Sequence, residues 1–323
     1  MKIRIVTGAA LGAALVVPSA AWAAPTPDLS GAAVYAAAGN QLSRYTAAGE
    51  WHQLASFGAT QFAASPDGTK AAWITESGNL NIRQRGKTST IVSGLQGSTP
   101  CLTPVWSADS TKVAYPSANG TINAVRADGS NAPHKLGVSK GVCHLAWAGN
   151  GRYLAGYTST GDALYRLDTK TGKTAMVKNV KSINHVQSLS PDGSKAVVAF
   201  PEGAQASGTR TWPTTFKPVI VEVPTGKRLK LPAKGNAIGA YYLPDGRLVM
   251  RMAAAPAQPG HAGGHTAAHA AGHAAGHAAG HAAGHAAGHA HNTLVVFDSA
   301  GNEIQRLAEP AKAKNQALLQ VVS

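Results

Sequence analysis

The tetrapeptide Ser65-Pro66-Asp67-Gly68 and its near copies decide the fold class of this chain. Proline presets φ at the first turn position, the Asp side chain bonds the local backbone, and Gly adopts positive φ. Short apolar runs flank each copy, so each copy predicts a β-hairpin. The copies are Ser65-Pro66-Asp67-Gly68, Ser107-Ala108-Asp109-Ser110, Ala148-Gly149-Asn150-Gly151, Ser190-Pro191-Asp192-Gly193 and Leu243-Pro244-Asp245-Gly246.

The spacing of the copies sets the size of the repeating unit. The turns begin at residues 65, 107, 148, 190 and 243, so the steps are 42, 41, 42 and 53 residues. After the first hairpin, two more strand-like runs follow at Leu80–Arg83 and Ser89–Val92. Four strands in a unit of about 42 residues are typical of a β-propeller blade.

A sixth blade is predicted from runs that lie at the two ends of the chain. Val34–Ala37, Gln41–Thr46 and Trp51–Ala55 lack an innermost strand, and Ala317–Val322 can supply it. Such closure leaves no free sheet edge around the ring. The sequence therefore predicts an all-β, six-bladed β-propeller; five or seven blades are the alternatives.

The turns resemble the Ser-Pro-Asp-Gly repeats of the TolB-like, WD40-like periplasmic propellers. The resemblance covers most of residues 31–309, and it departs from the family pattern at Asp109-Ser110 and Asn150-Gly151. It implies the propeller fold and a location in the cell envelope, and it says little about function.

The first 23 residues are predicted to be a signal peptide. Lys2 and Arg4 give a basic start, an apolar stretch follows, and Ala21-Trp22-Ala23 fits the cleavage pattern. The propeller then occupies residues 24–323 of a periplasmic chain; an uncleaved anchor is the alternative. After cleavage no apolar run of 18 residues remains, so we expect no membrane span.

Charge and composition argue against two classes of function. The net charge is +14, but the 29 Lys and Arg residues are scattered singly, which does not indicate nucleic-acid binding. Asp and Glu total 15 without a paired carboxylate pattern, which does not indicate an enzyme. The G-x-S-x-G match at Gly137–Gly141 falls in a loop between blades and not at a strand–turn–helix elbow. We expect a monomer without catalytic residues, and a propeller enzyme is a weaker alternative.

The most unusual segment is a His/Ala/Gly-rich insertion at residues 253–292, inside the last blade. Histidine recurs there every fourth residue. Neutral imidazole is a common ligand of Zn, Ni and Cu, and most of these rings are unprotonated at neutral pH. The nine candidate metal ligands are His261, His265, His269, His273, His277, His281, His285, His289 and His291. The alternative is a linker expanded by replication slippage, with no selected role.

A second candidate site follows from aligning the units on their turns. Cys101, Cys143, His144 and His185 each lie four to six residues before a turn, where the chain enters the innermost strand of adjacent blades. Propeller topology places these positions around one mouth of the central channel, on the face that carries the histidine insertion. A Cys₂His₂ set suits Cu(I) or Zn. The two cysteines have two alternatives, a disulfide in an oxidising compartment or small buried apolar side chains.

These observations lead to two hypotheses about function. The leading one is a periplasmic protein that buffers, stores or delivers Zn, Ni or Cu through the histidine tract. The alternative is a TolB-like scaffold of the cell envelope that binds a protein partner, with an incidental tract.

Overall fold

The chain folds into six four-stranded antiparallel sheets. A computed structural model describes residues 28–37, 41–201, 212–254 and 291–323. The predicted signal peptide, residues 1–23, lies outside the described residues. The strands are β1 (Ala33–Ala37), β2 (Gln41–Tyr45), β3 (Trp51–Ser56), β4 (Gln61–Ala64), β5 (Lys70–Ile74), β6 (Leu80–Gln84), β7 (Lys87–Val92), β8 (Val105–Trp106), β9 (Lys112–Pro116), β10 (Thr121–Arg126), β11 (His134–Val138), β12 (Cys143–Trp147), β13 (Tyr153–Tyr157), β14 (Leu164–Asp168), β15 (Lys173–Met176), β16 (His185–Leu189), β17 (Lys195–Ala199), β18 (Pro218–Glu222), β19 (Arg228–Leu229), β20 (Ala237–Tyr242), β21 (Leu248–Met252), β22 (Thr293–Phe297), β23 (Glu303–Ala308) and β24 (Ala317–Val321).

The six sheets are the blades of a propeller, which confirms the predicted fold class. From the innermost strand outward, blade 1 is β24-β1-β2-β3, and blade 2 is β4-β5-β6-β7. Blades 3 to 6 continue in chain order as β8 to β11, β12 to β15, β16 to β19 and β20 to β23. A 3-10 turn, Ala311–Ala313, precedes β24.

The first and last strands of the chain close the ring. β24 pairs antiparallel with β1, with Ala36 opposite Ala317 and Ala33 opposite Val321. Val322 N also donates to Ala32 O at 2.9 Å. The C-terminal strand thus completes blade 1 from the inside, as the sequence predicts.

The repeated turn owes its shape to the residues that the sequence analysis singled out. In the first copy, Gly68 has φ +65° and its N–H donates to Ser65 O at 2.8 Å. Lys70 N donates to Ser65 Oγ at 2.9 Å, and Thr69 N donates to Asp67 Oδ1 at 2.9 Å. Burial acts to raise the pKa of Asp67, but hydrogen bonds from Lys70, Ser65 and Thr69 outweigh it and hold the pKa at about 2.

The degenerate copy at Asp109-Ser110 uses its serine differently. Ser110 has φ +57°, a left-handed conformation that normally favours glycine. Its hydroxyl accepts a hydrogen bond from Asp67 N at 3.1 Å, in the turn of the preceding blade. The turn that departs from the family pattern therefore links two neighbouring blades.

The topology gives the ring two distinct faces. The five turn copies connect the first and second strands of blades 2 to 6 on one face, which we call the turn face. The innermost strands begin on the opposite face, which we call the mouth face, and the connections from second to third strands lie there too. The ends of β21 and β22 that bound the histidine insertion are therefore on the mouth face.

Apolar side chains from adjacent blades pack together to form the core. Trp73 and Trp106 are buried, and Trp106 Nε1 donates to Ala63 O of blade 2 at 3.3 Å. Trp147 Nε1 donates to Gly151 O at 2.9 Å. In the described ranges, no helix has the length and apolar character needed to cross a bilayer.

Candidate site at the mouth of the channel

The structure brings together the four residues predicted to line the mouth. Cys101 and Cys143 are joined by a disulfide, with Cα atoms 4.6 Å apart and 42 residues between them in sequence. His144 N donates to Cys101 O at 2.8 Å, so the loop that leads into β8 is held against the start of β12. The disulfide is one of the three states that the sequence left open for the cysteines.

His144 and His185 are in direct ring contact. Their centroids are 4.7 Å apart, and the two side chains are buried at 1% and 2% exposure. His144 has φ +44°, and the register of β12 against β13 shifts between Cys143 and Ala146. A β-bulge of this kind re-aims a side chain at the start of a strand.

The environment of the two rings keeps His185 neutral. Burial, and then the neighbouring His144, hold the pKa of His185 well below its usual value. Gln187 Oε1 lies 2.9 Å from His185 Nε2. Tyr157 stacks on His144 with centroids 5.9 Å apart. An uncharged imidazole in this position is chemically able to act as a metal ligand.

Cys101 and Cys143 are oxidised to a disulfide in the structure, so they lack the thiolates that a metal site would need. A disulfide sulfur is not a thiolate, and the thiolate is the form that ligates metals. Across the described parts of the chain, no group of three or more His, Cys, Asp and Glu side chains is arranged to hold a metal ion. A Cys₂His₂ centre at the mouth therefore requires reduction of the disulfide first.

A tryptophan that sequence reasoning did not single out covers the two histidines. Trp212 lies in the long connection between β17 and β18 of blade 5, and its ring contacts His144 and His185 with centroids 5.7 and 5.1 Å away. Its Nε1 donates to Phe62 O at 2.8 Å. Phe62 belongs to blade 2, which is opposite blade 5 in a ring of six, so Trp212 spans the mouth. The 53-residue step between the last two turns was the sequence signal of an unusual connection nearby.

A buried ion pair next to the insertion was also missed. Arg251 on β21 donates from Nε to Glu309 Oε2 at 2.8 Å, and Tyr35 Oη donates to Glu309 Oε1 at 2.9 Å. The Arg251 Nη1 atom also donates to Thr214 O and Gln316 O, and Nη2 donates to Ala313 O, at N···O distances of 2.8 to 2.9 Å. The network ties blade 6, blade 1 and the segment after Trp212 together.

Most of the predicted histidine ligands are outside the region that the structure describes. His261, His265, His269, His273, His277, His281, His285 and His289 lie in residues 255–290, which are not among the described residues. His291 is described and exposed. The two ends of the insertion meet, since Ala254 N donates to Asn292 Oδ1 at 3.2 Å.

The interior of the channel leaves little room for a ligand. Side chains from the innermost strands, including Trp106, Leu145, Tyr241 and Leu319, surround a cavity of about 90 Å³. Sites for drug-sized molecules occupy roughly 300–1,000 Å³. The described channel has room for a few water molecules, and its volume is well below that of a site for a drug-sized molecule.

A comparison with curated proteins found a sequence match that covers a short part of the chain. Over 60 residues the chain is 37% identical to the Tol-Pal system protein TolB of Francisella tularensis subsp. tularensis (strain WY96-3418). The chain resembles TolB. The resemblance inferred from the Ser-Pro-Asp-Gly turns is thereby confirmed. The match spans 18% of this chain and 14% of that protein's length. No protein-family model matches the chain.

Solved structures with related architecture include TolB from Acinetobacter baumannii. That structure aligns with 90% of this TolB-like chain and 66% of its own length, at 15% identity and a TM-score of 0.49. A chain of a nidogen–laminin complex aligns over 90% and 99% of the two chains, at 12% identity and a TM-score of 0.48. An oligogalacturonate lyase in complex with manganese aligns over 68% and 70%, at 15% identity and a TM-score of 0.45. Similarities at this level carry no information about function.

Proposed function

We propose that this chain is a non-catalytic protein-interaction scaffold in the periplasm. The observation that carries the proposal is the 60-residue, 37% identical match to a Tol-Pal system protein. The predicted signal peptide at residues 1–23 supplies the route to the periplasm. The narrow channel supports a role for the outer surfaces of the ring and not for an internal substrate pocket.

The test is chemical cross-linking in living bacteria. The full chain, tagged at its C-terminus, is expressed in its own host, and a variant that lacks residues 2–23 serves as the control retained in the cytosol. We expect the full chain in the periplasmic fraction, cross-linked to a defined envelope protein whose binding is then reproduced with both purified partners. Retention of the full chain in the cytosol, or a cross-linking pattern identical to that of the control, contradicts the proposal.

Metal binding by the histidine tract is a second candidate function. The observation that favours it is the regular four-residue spacing of His261 to His289, which provides many imidazole donors on one tether. The expected role is buffering, storage or delivery of Zn, Ni or Cu, with release as the pH falls through about 6.

Isothermal titration calorimetry tests this second function directly. Zn, Ni and Cu(I) are titrated into the full chain and into a variant in which the nine tract histidines are replaced by Gln, which keeps the length of the segment. We expect several metal ions to bind the full chain and the stoichiometry to fall sharply in the variant. Equal stoichiometry and affinity in the two proteins would remove the tract from consideration as a metal site. Repeating the titration after reduction of Cys101–Cys143 tests the mouth separately.

A further inference from the structure

The chemistry of the turns distributes charge unequally between the two faces of the ring. Strand direction alternates within each blade, so the connections from third to fourth strands lie on the turn face together with the turn copies. The turn-face connections carry seven carboxylates, because Asp is favoured in tight turns and most copies of the tetrapeptide contain one. They contain five Lys and Arg residues, so this face has a small excess of negative charge in its connections.

The connections on the mouth face have the opposite sign of charge. Within the described ranges they contain eight lysines, all exposed, against the exposed carboxylates of Glu76 and Asp162. Their third carboxylate, Glu309, is buried and paired with Arg251 at 2.8 Å. The residues outside the described ranges that join these strands contain, by sequence, one Glu, one Arg and otherwise only histidine among ionisable residues. The mouth face therefore carries a clear excess of positive charge.

Most of this positive charge is concentrated on one side of the ring. Six of the eight lysines lie two by two in the connections 177–184, 230–236 and 309–316, which lead into blades 5, 6 and 1. These three connections are fully described and contain no exposed carboxylate. The charge is thus spread along consecutive connections and is not gathered in one groove.

Hydrogen bonds of the main chain place Lys181, Lys234 and Lys314, which we call the mouth lysines, beside the mouth. Two residues after Lys181 an N–H donates to the second-to-third-strand loop of blade 4 at 2.7 Å, and two residues after Lys234 a carbonyl accepts from the equivalent connection of blade 6 at 2.9 Å. The carbonyl of the residue before Lys314 accepts from Arg251 Nη2 at 2.9 Å. All three side chains are exposed.

Cations on the turn face are compensated to a greater extent than the mouth lysines are. Lys70 pairs with Asp67 at 2.6 Å, and Arg152 pairs with Asp168 at 2.7 Å. Within the described ranges, none of the mouth lysines has a carboxylate at ion-pair distance. Their charge is therefore directed to whatever lies in front of this face.

The type and spread of the cations indicate the class of partner. Lysine is a compact point charge and lacks the rigid fork with which arginine selects a single carboxylate or phosphate. Clusters of roughly four to eight basic side chains attract an anionic bilayer through its surface potential, without a specific contact to any one headgroup. A broad array of lysines, distributed over several connections, matches a continuous sheet of phosphates better than it matches one acidic peptide.

We propose that the mouth face docks on a bilayer that contains anionic phospholipids, with the mouth lysines toward the phosphate headgroups and the turn face directed away. The excess of carboxylates in the turn-face connections favours this orientation, since the bilayer repels that face. The inference goes beyond the scaffold function, because binding to lipid requires no protein partner.

Vesicle sedimentation with the purified protein tests the docking surface. Residues 1–23, which are outside the described fold and are apolar enough to bind lipid by themselves, are removed. The assay is done with a chelator at about pH 8, where the imidazoles of the histidine insertion are neutral. We expect the protein to sediment with vesicles of phosphatidylglycerol and phosphatidylethanolamine, to stay in solution with vesicles of phosphatidylcholine, and to dissociate from the anionic vesicles as salt is added.

Two triple variants with the same change in charge identify the face that binds. Lys181→Gln/Lys234→Gln/Lys314→Gln should weaken binding to the anionic vesicles by about tenfold or more. The matched control is Lys87→Gln/Lys170→Gln/Lys227→Gln, which removes three exposed lysines at the turn-face ends of outer strands and should bind as the wild type does. Urea midpoints equal to that of the wild type verify that both variants are folded.

Four results overturn the proposal. They are the absence of sedimentation with anionic vesicles, equal sedimentation with phosphatidylcholine vesicles, equal binding by the two triple variants, and binding of a DNA duplex or of polyglutamate as tight as that of the anionic vesicles. The last result would assign the basic surface to another class of macromolecule. The scaffold function is tested separately, because the cross-linking experiment depends on an envelope protein and the vesicle assay contains none.

Discussion

At the residue scale, the Arg251–Glu309 ion pair is buried and joins two parts of the chain that meet only in the folded ring. Arg251 and Glu309 are 58 positions apart and almost completely buried, at 2% and 1% side-chain exposure. Burial of either charge alone is costly, and removal of one partner leaves the other uncompensated. The pair therefore couples blade 6 to the ring-closing segment.

The variant Arg251→Met should lower the free energy of unfolding by about 3–5 kcal/mol, because Glu309 would remain buried without its cation. Urea denaturation measures the change. The control is Arg306→Met, which breaks an exposed pair with Glu303 at 2.8 Å and should cost about 1 kcal/mol or less. Similar losses in the two variants would show that the buried pair has no special weight.

Ser110 is expected to contribute less to the free energy of unfolding than Arg251 does. Two substitutions at this position distinguish the effect of its backbone strain from that of its hydrogen bond. Ser110→Ala keeps the left-handed backbone but loses the bond from Asp67 N, so it should cost about 1 kcal/mol. Ser110→Gly loses the same bond and relieves the strain, so it should be close to neutral. Unfolding curves of the two variants give the difference. A Ser110→Ala protein as stable as the wild type would mean that the hydroxyl contributes nothing.

At the element scale, the connection between β17 and β18 changes the character of the channel mouth. Trp212 reaches from blade 5 to Phe62 of blade 2 and covers His144 and His185. Tyr157 on His144 and Phe216 on His185 complete the aromatic surroundings of the two imidazoles. Burial, and then the adjacent His144, lower the pKa of His185, so protonation of its ring is disfavoured in the folded protein.

This setting predicts a pH dependence near neutrality. Above about pH 7.5 His185 is neutral in the folded and unfolded states, so it does not affect stability. As the pH falls through about 6.5, the unfolded chain takes up a proton that the folded chain resists, and stability declines. His185→Gln should reduce this slope between pH 7 and 5 in urea titrations.

The exposed His134 on β11 provides the control, and His134→Gln should leave the slope unchanged. A wild-type slope between pH 7 and 5 that survives His185→Gln would contradict the assignment to His185.

The turn carboxylates affect stability over a lower pH range. The depressed pKa of Asp67, about 2, means that its contribution is present above about pH 4 and is lost as the pH falls toward 2.

At the scale of the whole molecule, two long-range links hold the ring. β24 closes blade 1 from the C-terminus, and the Cys101–Cys143 disulfide joins blades 3 and 4. The closing strand removes the free edge that an open array of blades would expose. The disulfide restricts the unfolded chain across a loop of one whole repeat.

Removal of the disulfide should cost about 4 kcal/mol by loop-closure entropy, given the separation of 42 residues. Cys101→Ala/Cys143→Ala should show a lowered urea midpoint that no longer responds to reductant, whereas the wild-type midpoint should fall when reductant is added. A wild-type midpoint that is insensitive to full reduction, verified by thiol labelling, would show that the link is not stabilising.

Local chemistry made much of the fold predictable from the sequence. The turn at Ser65-Pro66-Asp67-Gly68 is held by hydrogen bonds within six residues. Each copy of this tetrapeptide therefore predicts a hairpin. The same regularity places Ala317–Val321 in the gap that blade 1 leaves, because only one inner strand was missing. It also locates Cys101, Cys143, His144 and His185 at one mouth, since equivalent positions of successive blades lie side by side.

The sequence by itself therefore determined the propeller architecture, the strand that closes the ring and the neighbourhood of the mouth residues, whereas it left five, six or seven blades open. Only the tertiary structure decided the state of the cysteines, the contact of Trp212 with the two histidines and the Arg251–Glu309 pair. The physical reason is the range of the interactions. Hairpins form between residues a few positions apart, whereas the Trp212 ring donates to the Phe62 carbonyl across 150 residues, a contact that exists only once the blades are assembled.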